Sequence, residues 1–196
     1  MEKVLKIVGV ILITGGLLLI GIIYSPIIRE EANYRVTTIK SSFQENQEID
    51  PVNKEFGLVI PKIGINAKIF PNVDANNPKE YLPLLVQGVA HTKGSVLPGE
   101  EGNVFLFAHS SDTLLNITRY NAVFYLIGKL EKEDEIFVYY QNKKYLYKVI
   151  EKKIVSPEKL ADYLKSLKGD ILTLQTCYPP GTTINRLLVV AKQVEK

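Results

Sequence analysis

From Gly57 onward the chain is written in short β-rich runs divided by turn residues, and that texture limits the fold more than any other feature. The runs are Leu58–Lys62, Ile65–Phe70, Leu84–His91, Asn103–His109, Glu135–Gln141, Lys144–Val155, Ile171–Thr176 and Arg186–Ala191. Their Val, Ile, Phe and Tyr side chains suit a pleated, half-buried surface. Eight such runs predict a mainly β fold, a closed or nearly closed antiparallel-rich barrel with short helices. Gln141-Asn-Lys-Lys reads as a hairpin turn. Two helical interludes are expected. Asn121–Lys129 is short, whereas Ser156–Gly169 has a serine able to cap, Pro157 at the first helical position and a closing glycine. Leu160, Ala161, Leu164 and Leu167 recur at helical spacing there and are assigned to core packing.

Ahead of this domain, Ile7–Ile28 runs for 22 residues without a charge. A helix over that run spans roughly 33 Å, enough for a bilayer core. Pro26 marks its outer end and leaves Ile7–Tyr24 as the span. No small-residue cleavage site follows, so the segment reads as an uncleaved signal anchor. Lys3 and Lys6 before it are matched by Arg29, Arg35 and Lys40 after it, so charge alone does not orient it. Glu30 to about Phe56 is polar without a sustained period and reads as a helical stalk fading into a linker. The organisation is therefore flank and anchor in 1–28, stalk in 29–55 and barrel in 56–196.

Net charge is only +3 over 196 residues, and no basic stripe is interleaved with aromatics, so nucleic acid is not an expected partner. No phosphate-binding glycine loop appears. The single cysteine, Cys177, has no partner for an internal disulfide. It ends an apolar run, beside Pro179-Pro180-Gly181, and Arg186 opens the next run nine residues on. A thiol with a pKa of about 8.5 is only a few per cent thiolate at pH 7, so a nucleophilic cysteine needs a base or a cation nearby. His91 and His109 are the two histidines, and both end strand-like runs. His109 enters the polar loop Ser110-Ser111-Asp112, which favours it slightly. On spacing alone, a buried cysteine, a packed histidine and a solvated rim arginine stay open. Cys177, His91 and His109 lack the close spacing of a zinc site.

Thr173-Leu174-Gln175-Thr176-Cys177 with Arg186 downstream resembles the Thr-Leu-x-Thr-Cys motif and arginine of sortases, membrane-anchored cysteine transpeptidases mainly of Gram-positive surfaces. The likeness covers roughly Phe56 to Lys196. Ile60-Pro61-Lys62-Ile63-Gly64-Ile65-Asn66-Ala67 is similar to the family's first barrel strands, and Leu97–Asn103 to its loop into the strand that delivers histidine. It implies a sortase-like eight-stranded barrel behind one transmembrane helix, with the N-terminus inside and the catalytic domain outside the cell. Phe107-Ala108-His109-Ser110 resembles the family's Gly-His-polar motif, with Ala108 where glycine is usual; Gly88-Val-Ala-His91 resembles an upstream histidine without the catalytic role. By this likeness Cys177, His109 and Arg186 are catalytic, and Thr176 and Ala108 meet the substrate. The donor would be a surface protein with a Leu-Pro-x-Thr-Gly-like sorting signal, the acceptor an amine of cell wall or pilin, and no cofactor would be needed. Glu100 and Glu101 lie in a loop that binds calcium in some relatives, and two adjacent acids more often form a solvated rim. Some pilus-building sortases carry an Asp-Pro-aromatic lid; Asp50-Pro51 is present, but Val52 replaces the aromatic, so no such lid is expected. Tyr178-Pro179-Pro180-Gly181 resembles class D-like members. The competing readings are a cysteine hydrolase using the same pair and a membrane-tethered β domain that only binds.

Overall fold

The structure, a computed structural model, describes residues 3, 6–19, 21, 25, 49–110 and 123–194. Eight strands among them close into one barrel: β1 (Phe56–Ile60), β2 (Ile65–Val73), β3 (Val89–Thr92), β4 (Asn103–Phe107), β5 (Glu135–Tyr140), β6 (Lys143–Val155), β7 (Ile171–Tyr178) and β8 (Asn185–Gln193). Around the barrel the order is β1-β2-β3-β4-β7-β8-β6-β5, and antiparallel β1–β5 pairing closes it. The barrel is antiparallel-rich as expected, with six of its eight pairings antiparallel, while β2–β3 and β4–β7 run parallel. A parallel pair needs a long crossover, and both crossovers are present. Residues 74–88 link β2 to β3, and the whole β5–β6 hairpin lies between β4 and β7.

The interior is filled from the strands' inward faces. Leu58, Ile60, Leu106, Ile136, Leu172 and Leu174 are completely shielded from solvent. The β5–β6 hairpin turns on two residues only, Gln141 and Asn142, with φ of 49° and 62°. Both values are positive, as a type I′ turn requires, so the two lysines expected in the turn already belong to β6 or its start.

Three expectations need correction. Leu84–His91 is not one strand. Helix α1 (Pro78–Leu85) takes its first two residues, and β3 begins only at Val89. Pro78 stands in the first helical turn with Glu80 just behind it, a helix start that the apolar run downstream obscured. Gly88 then lets the chain pass close to β2, where a Cβ would collide with the carbonyl oxygen of Lys68. The second helix, α2 (Pro157–Ser166), exists, but its apolar stripe is not core. None of its residues is buried, Leu160 and Leu164 are half-buried, and Ala161 is exposed. Strand side chains already fill the barrel, so this helix lies outside it. Its Ser156 makes no capping hydrogen bond to the helix backbone. Within Asn121–Lys129, a 3₁₀ turn covers Ile127–Lys129, and residues 121–122 lie outside the described part.

Residues 6–19 are helical, with Ile7, Leu12, Leu18 and Leu19 exposed. Among the described residues no helix is long and apolar enough to cross a membrane. Four residues of the expected span, 20 and 22–24, and 29–48 of the stalk lie outside them. The chain is pinned to the barrel from Asp50 on. The Asn66 side chain on β2 donates to the Asp50 carbonyl at 2.9 Å and accepts from the Val52 N–H at 2.8 Å.

Candidate active site

Strands β4, β7 and β8 are neighbours, and their registers line up three sequence-distant residues. In β4–β7 pairing Phe107 stands beside Gln175, and the Ala108 N–H continues the ladder to the Gln175 carbonyl at 3.2 Å. Extending that register by two residues sets His109 level with Cys177. On the other side of β7, Cys177 pairs directly with Arg186. His109, two residues past the end of β4, Cys177 on β7 and Arg186 on β8 thus stand in one row of backbone positions, with neighbouring strands about 4.8 Å apart.

Alternation decides which way the row points. Leu172, Leu174 and Thr176 share one face of β7, and both leucines lie in the core. Gln175 and Cys177 take the opposite face, away from the barrel interior and into a cleft of about 200 Å³ that His109 and Arg186 also line. Cys177 is half-buried and not in a disulfide. One wall is α1, whose Tyr81 packs edge-on against Phe107 with centroids 5.9 Å apart. The facing wall is the β7–β8 turn with Thr182 and Thr183. Gly181, at φ 79°, supplies the left-handed residue of that turn, and Thr182 closes it by donating through both N–H and hydroxyl to the Pro179 carbonyl, at 3.0 and 2.8 Å.

The inward partner of this row holds its geometry. Thr176 Oγ1 donates to the Ala108 carbonyl at 2.9 Å, a buried bond that ties the residue before Cys177 to the residue before His109. Such a bond contributes about 1 kcal/mol net, and leaving its acceptor buried without it costs more. The Ala108 side chain belongs to the hydrophobic core, and its N–H keeps the ladder bond to the Gln175 carbonyl. The usual glycine's replacement therefore fills core space without distorting the strand end.

Arg186 donates from Nη1 to the carbonyls of Thr183 and Asn185, at 3.0 and 3.1 Å, so one guanidinium nitrogen braces the cleft wall. Glu158, on the first turn of α2, has its carboxyl held below the usual carboxylate range by the Ser156 hydroxyl first, and by the Arg186 charge more weakly.

His91 is elsewhere. It is buried on β3 against Phe56, with ring centroids 5.6 Å apart. Its Nδ1 accepts from the Asn72 N–H at 3.3 Å, so Nε2 carries the proton and faces the Val96 carbonyl at 3.0 Å. Burial pushes its pKa below the ordinary value. It is a packed, neutral histidine outside the cleft. Glu100 is likewise engaged locally, since its carboxylate accepts the Leu97 N–H at 2.8 Å. Among the described residues no three His, Cys, Asp or Glu side chains gather to hold a metal.

Sequence reasoning did not find the α1 wall, Ser110 or Gln175 as cleft residues. The first was signalled by Asn77-Pro78-Lys79-Glu80, and Gln175 by its place two residues from Cys177 on one strand face.

Comparison with known proteins follows the same line. A model of the Sortase domain family matches residues 58–194. Sortase D of Bacillus subtilis (strain 168) is 29% identical over 140 residues, covering 70% of this chain and 62% of that protein. The chain thus spans less than two thirds of that relative's length. Sortase C from Clostridium perfringens SM101 superposes with a TM-score of 0.57 at 26% identity, covering 86% of this chain and 91% of that one. Sortase E1 from Streptomyces coelicolor, solved with a tripeptide in its active site, superposes with a TM-score of 0.58 at 28% identity, covering 73% and 89%.

Proposed function

Because the chain belongs to the sortase family, we propose that it is a membrane-anchored cysteine transpeptidase that works through a thioester on Cys177. The observation that carries this reading is that His109, just past the end of β4, Cys177 on β7 and Arg186 on β8 line one cleft with an apolar wall. The Cys177 thiolate attacks a backbone carbonyl of an extended peptide. The electron pair moves to oxygen, and the Arg186 guanidinium, with donors still unused by the β7–β8 turn, stabilises that oxyanion. As the C–N bond breaks, His109 gives its proton to the departing amine. The thioester then meets an incoming amine, His109 takes that amine's proton, and the new amide forms as the thiolate leaves. Thr176 and Ala108 hold the site floor against which the peptide lies. Nucleophile, proton carrier and cation all come from side chains, so this chemistry calls for no metal or cofactor.

The donor is a surface protein bearing a Leu-Pro-x-Thr-Gly-like C-terminal signal, and the acceptor an amine of the cell wall or a pilin. The apolar run Ile7–Tyr24 is the single-pass anchor, with the barrel outside the cell. Incubating the protein with a Leu-Pro-x-Thr-Gly peptide library and triglycine tests the reading by mass spectrometry. The expected result is an acyl adduct on Cys177 and a triglycine-capped product. Products formed with water alone would make the enzyme a hydrolase, and the lack of any adduct would end the reading.

A further inference from the structure

Two polar atoms at the cleft, Ser110 Oγ and Gln175 Oε1, are shut off from solvent and make no hydrogen bond. Both residues line the cleft that holds Cys177, and Ser110 is only 1% exposed. Folding ordinarily removes such atoms, since each loses its water without gaining a partner. Thr92 Oγ1 is also unpartnered, but it belongs to β3 and lines no part of the cleft. Ser110 and Gln175 differ from it in bracketing the reactive row. Gln175 shares the outward face of β7 with Cys177, with Cα positions about 6.6 Å apart at that spacing, and Ser110 directly follows His109.

The chemistry of the two atoms says what would complete them. A carboxamide oxygen only accepts, so it needs an N–H, whereas a serine hydroxyl can donate to a carbonyl oxygen. An extended peptide presents both groups alternately at a spacing of a few ångströms. Resting on the transpeptidase reading, we propose that Ser110 and Gln175 are substrate-binding residues that grip the donor peptide by its main chain. Gln175 Oε1 accepts from one backbone N–H, and the Ser110 hydroxyl donates to one backbone carbonyl. Small rotations about the glutamine χ3 and the serine χ1 bring these atoms to the peptide as it fills the cleft. Side-chain selection then falls to the α1 wall, and the row receives a peptide already fixed in position.

The test uses the full chain in detergent, with wild type, Gln175→Met and Ser110→Ala. Probes are a Leu-Pro-x-Thr-Gly peptide, a set carrying one N-methyl amide at each position in turn, and a set carrying one thioamide in turn. Expected first is a melting temperature at or above that of wild type in both variants, since each loses a buried atom that had no partner. Alkylation of Cys177 by iodoacetamide should stay within about twofold, while kcat/KM falls roughly 5–10-fold through KM. One N-methyl position should cost wild type a similar factor and cost Gln175→Met nothing further. One thioamide position should behave likewise with Ser110→Ala. If every modified peptide loses the same factor in variant and wild type, the inference is wrong, whatever the melting temperatures. If wild type forms no acyl adduct with any unmodified peptide, the transpeptidase reading fails and this inference with it.

Discussion

At the residue scale the row makes unequal demands on its members. Cys177→Ala removes the only sulfur in the cleft and should abolish thioester formation and transfer, with the barrel's melting temperature nearly unchanged because the side chain is half-buried. His109→Ala should lower kcat by about 10²–10⁴-fold, the usual worth of a placed proton carrier. Arg186 is harder to read, because its guanidinium both faces the cleft and braces the Thr183 and Asn185 carbonyls. Arg186→Lys keeps the charge but not the planar fork, so a loss of about 10–10³-fold in kcat without a lower melting temperature would assign it to the oxyanion. Near-wild-type turnover in that variant would leave Arg186 only the turn. His91 carries a different prediction, one of stability. Burial lowers its folded-state pKa, so the unfolded chain binds the proton more readily. Its contribution is complete above the unfolded value of about 6.5 and is lost as pH falls below that towards the depressed folded value. Melting curves between pH 7.5 and 5 should therefore fall more steeply for wild type than for His91→Gln; parallel curves would refute it. Periodicity barely separated His91 from His109, because both end apolar runs; the likeness of Phe107-Ala108-His109-Ser110 to the family motif chose His109, and His109 lines the Cys177 cleft while His91 does not.

At the element scale the crossing point is β4 against β7. The hairpin that pairs Cys177 with Arg186 was legible, since a nine-residue separation across a Pro-Pro-Gly turn leaves few other arrangements. The parallel pairing that brings in His109 was not, because the partners are 68 positions apart in the chain with an entire hairpin between them. Thr176 is where this pairing can be tested. Thr176→Val keeps the shape, deletes the donor to the Ala108 carbonyl and leaves that carbonyl buried without it. It should cost about 1–3 kcal/mol of stability and also lower kcat, since the strand ends bearing His109 and Cys177 lose their tie. Lower stability with unchanged kcat would mean the ladder alone holds the register. Helix α1 was missed for a physical reason too. Pro83 lies inside it and interrupts the periodicity, and its apolar residues run on into β3 as though one strand. The stripe on α2 misled in the opposite sense: helical spacing marks a face that meets something less polar than water, without saying how deep the contact goes.

For the whole molecule, barrel closure decides how independent the domain is. Antiparallel β1–β5 pairing leaves no open edge, and β1 is buried along its whole length. Eight β runs pointed to a closed or nearly closed barrel, because a barrel is a compact way for such strands to cover their edges, and the β1–β5 pairing decides for closure. Residues 6–19 are helical with exposed apolar side chains, but among the described residues no helix is long and apolar enough to cross a membrane, so the anchor rests on the uncharged run Ile7–Ile28 of the sequence. Asp50 and Val52 are bonded to the barrel through Asn66. A chain starting at Ile49 should therefore keep the melting temperature of the full protein within about 3 °C and its kcat/KM for a soluble peptide within about twofold, since the cleft is built from residue 75 onward. The full chain should partition into the detergent phase on warming with a cloud-point detergent, and the shortened one should stay in the aqueous phase. If both stay in the aqueous phase, residues 6–19 are no part of an anchor; if the shortened chain melts well below the full one, the N-terminal segment is packed on the barrel and holds part of its stability.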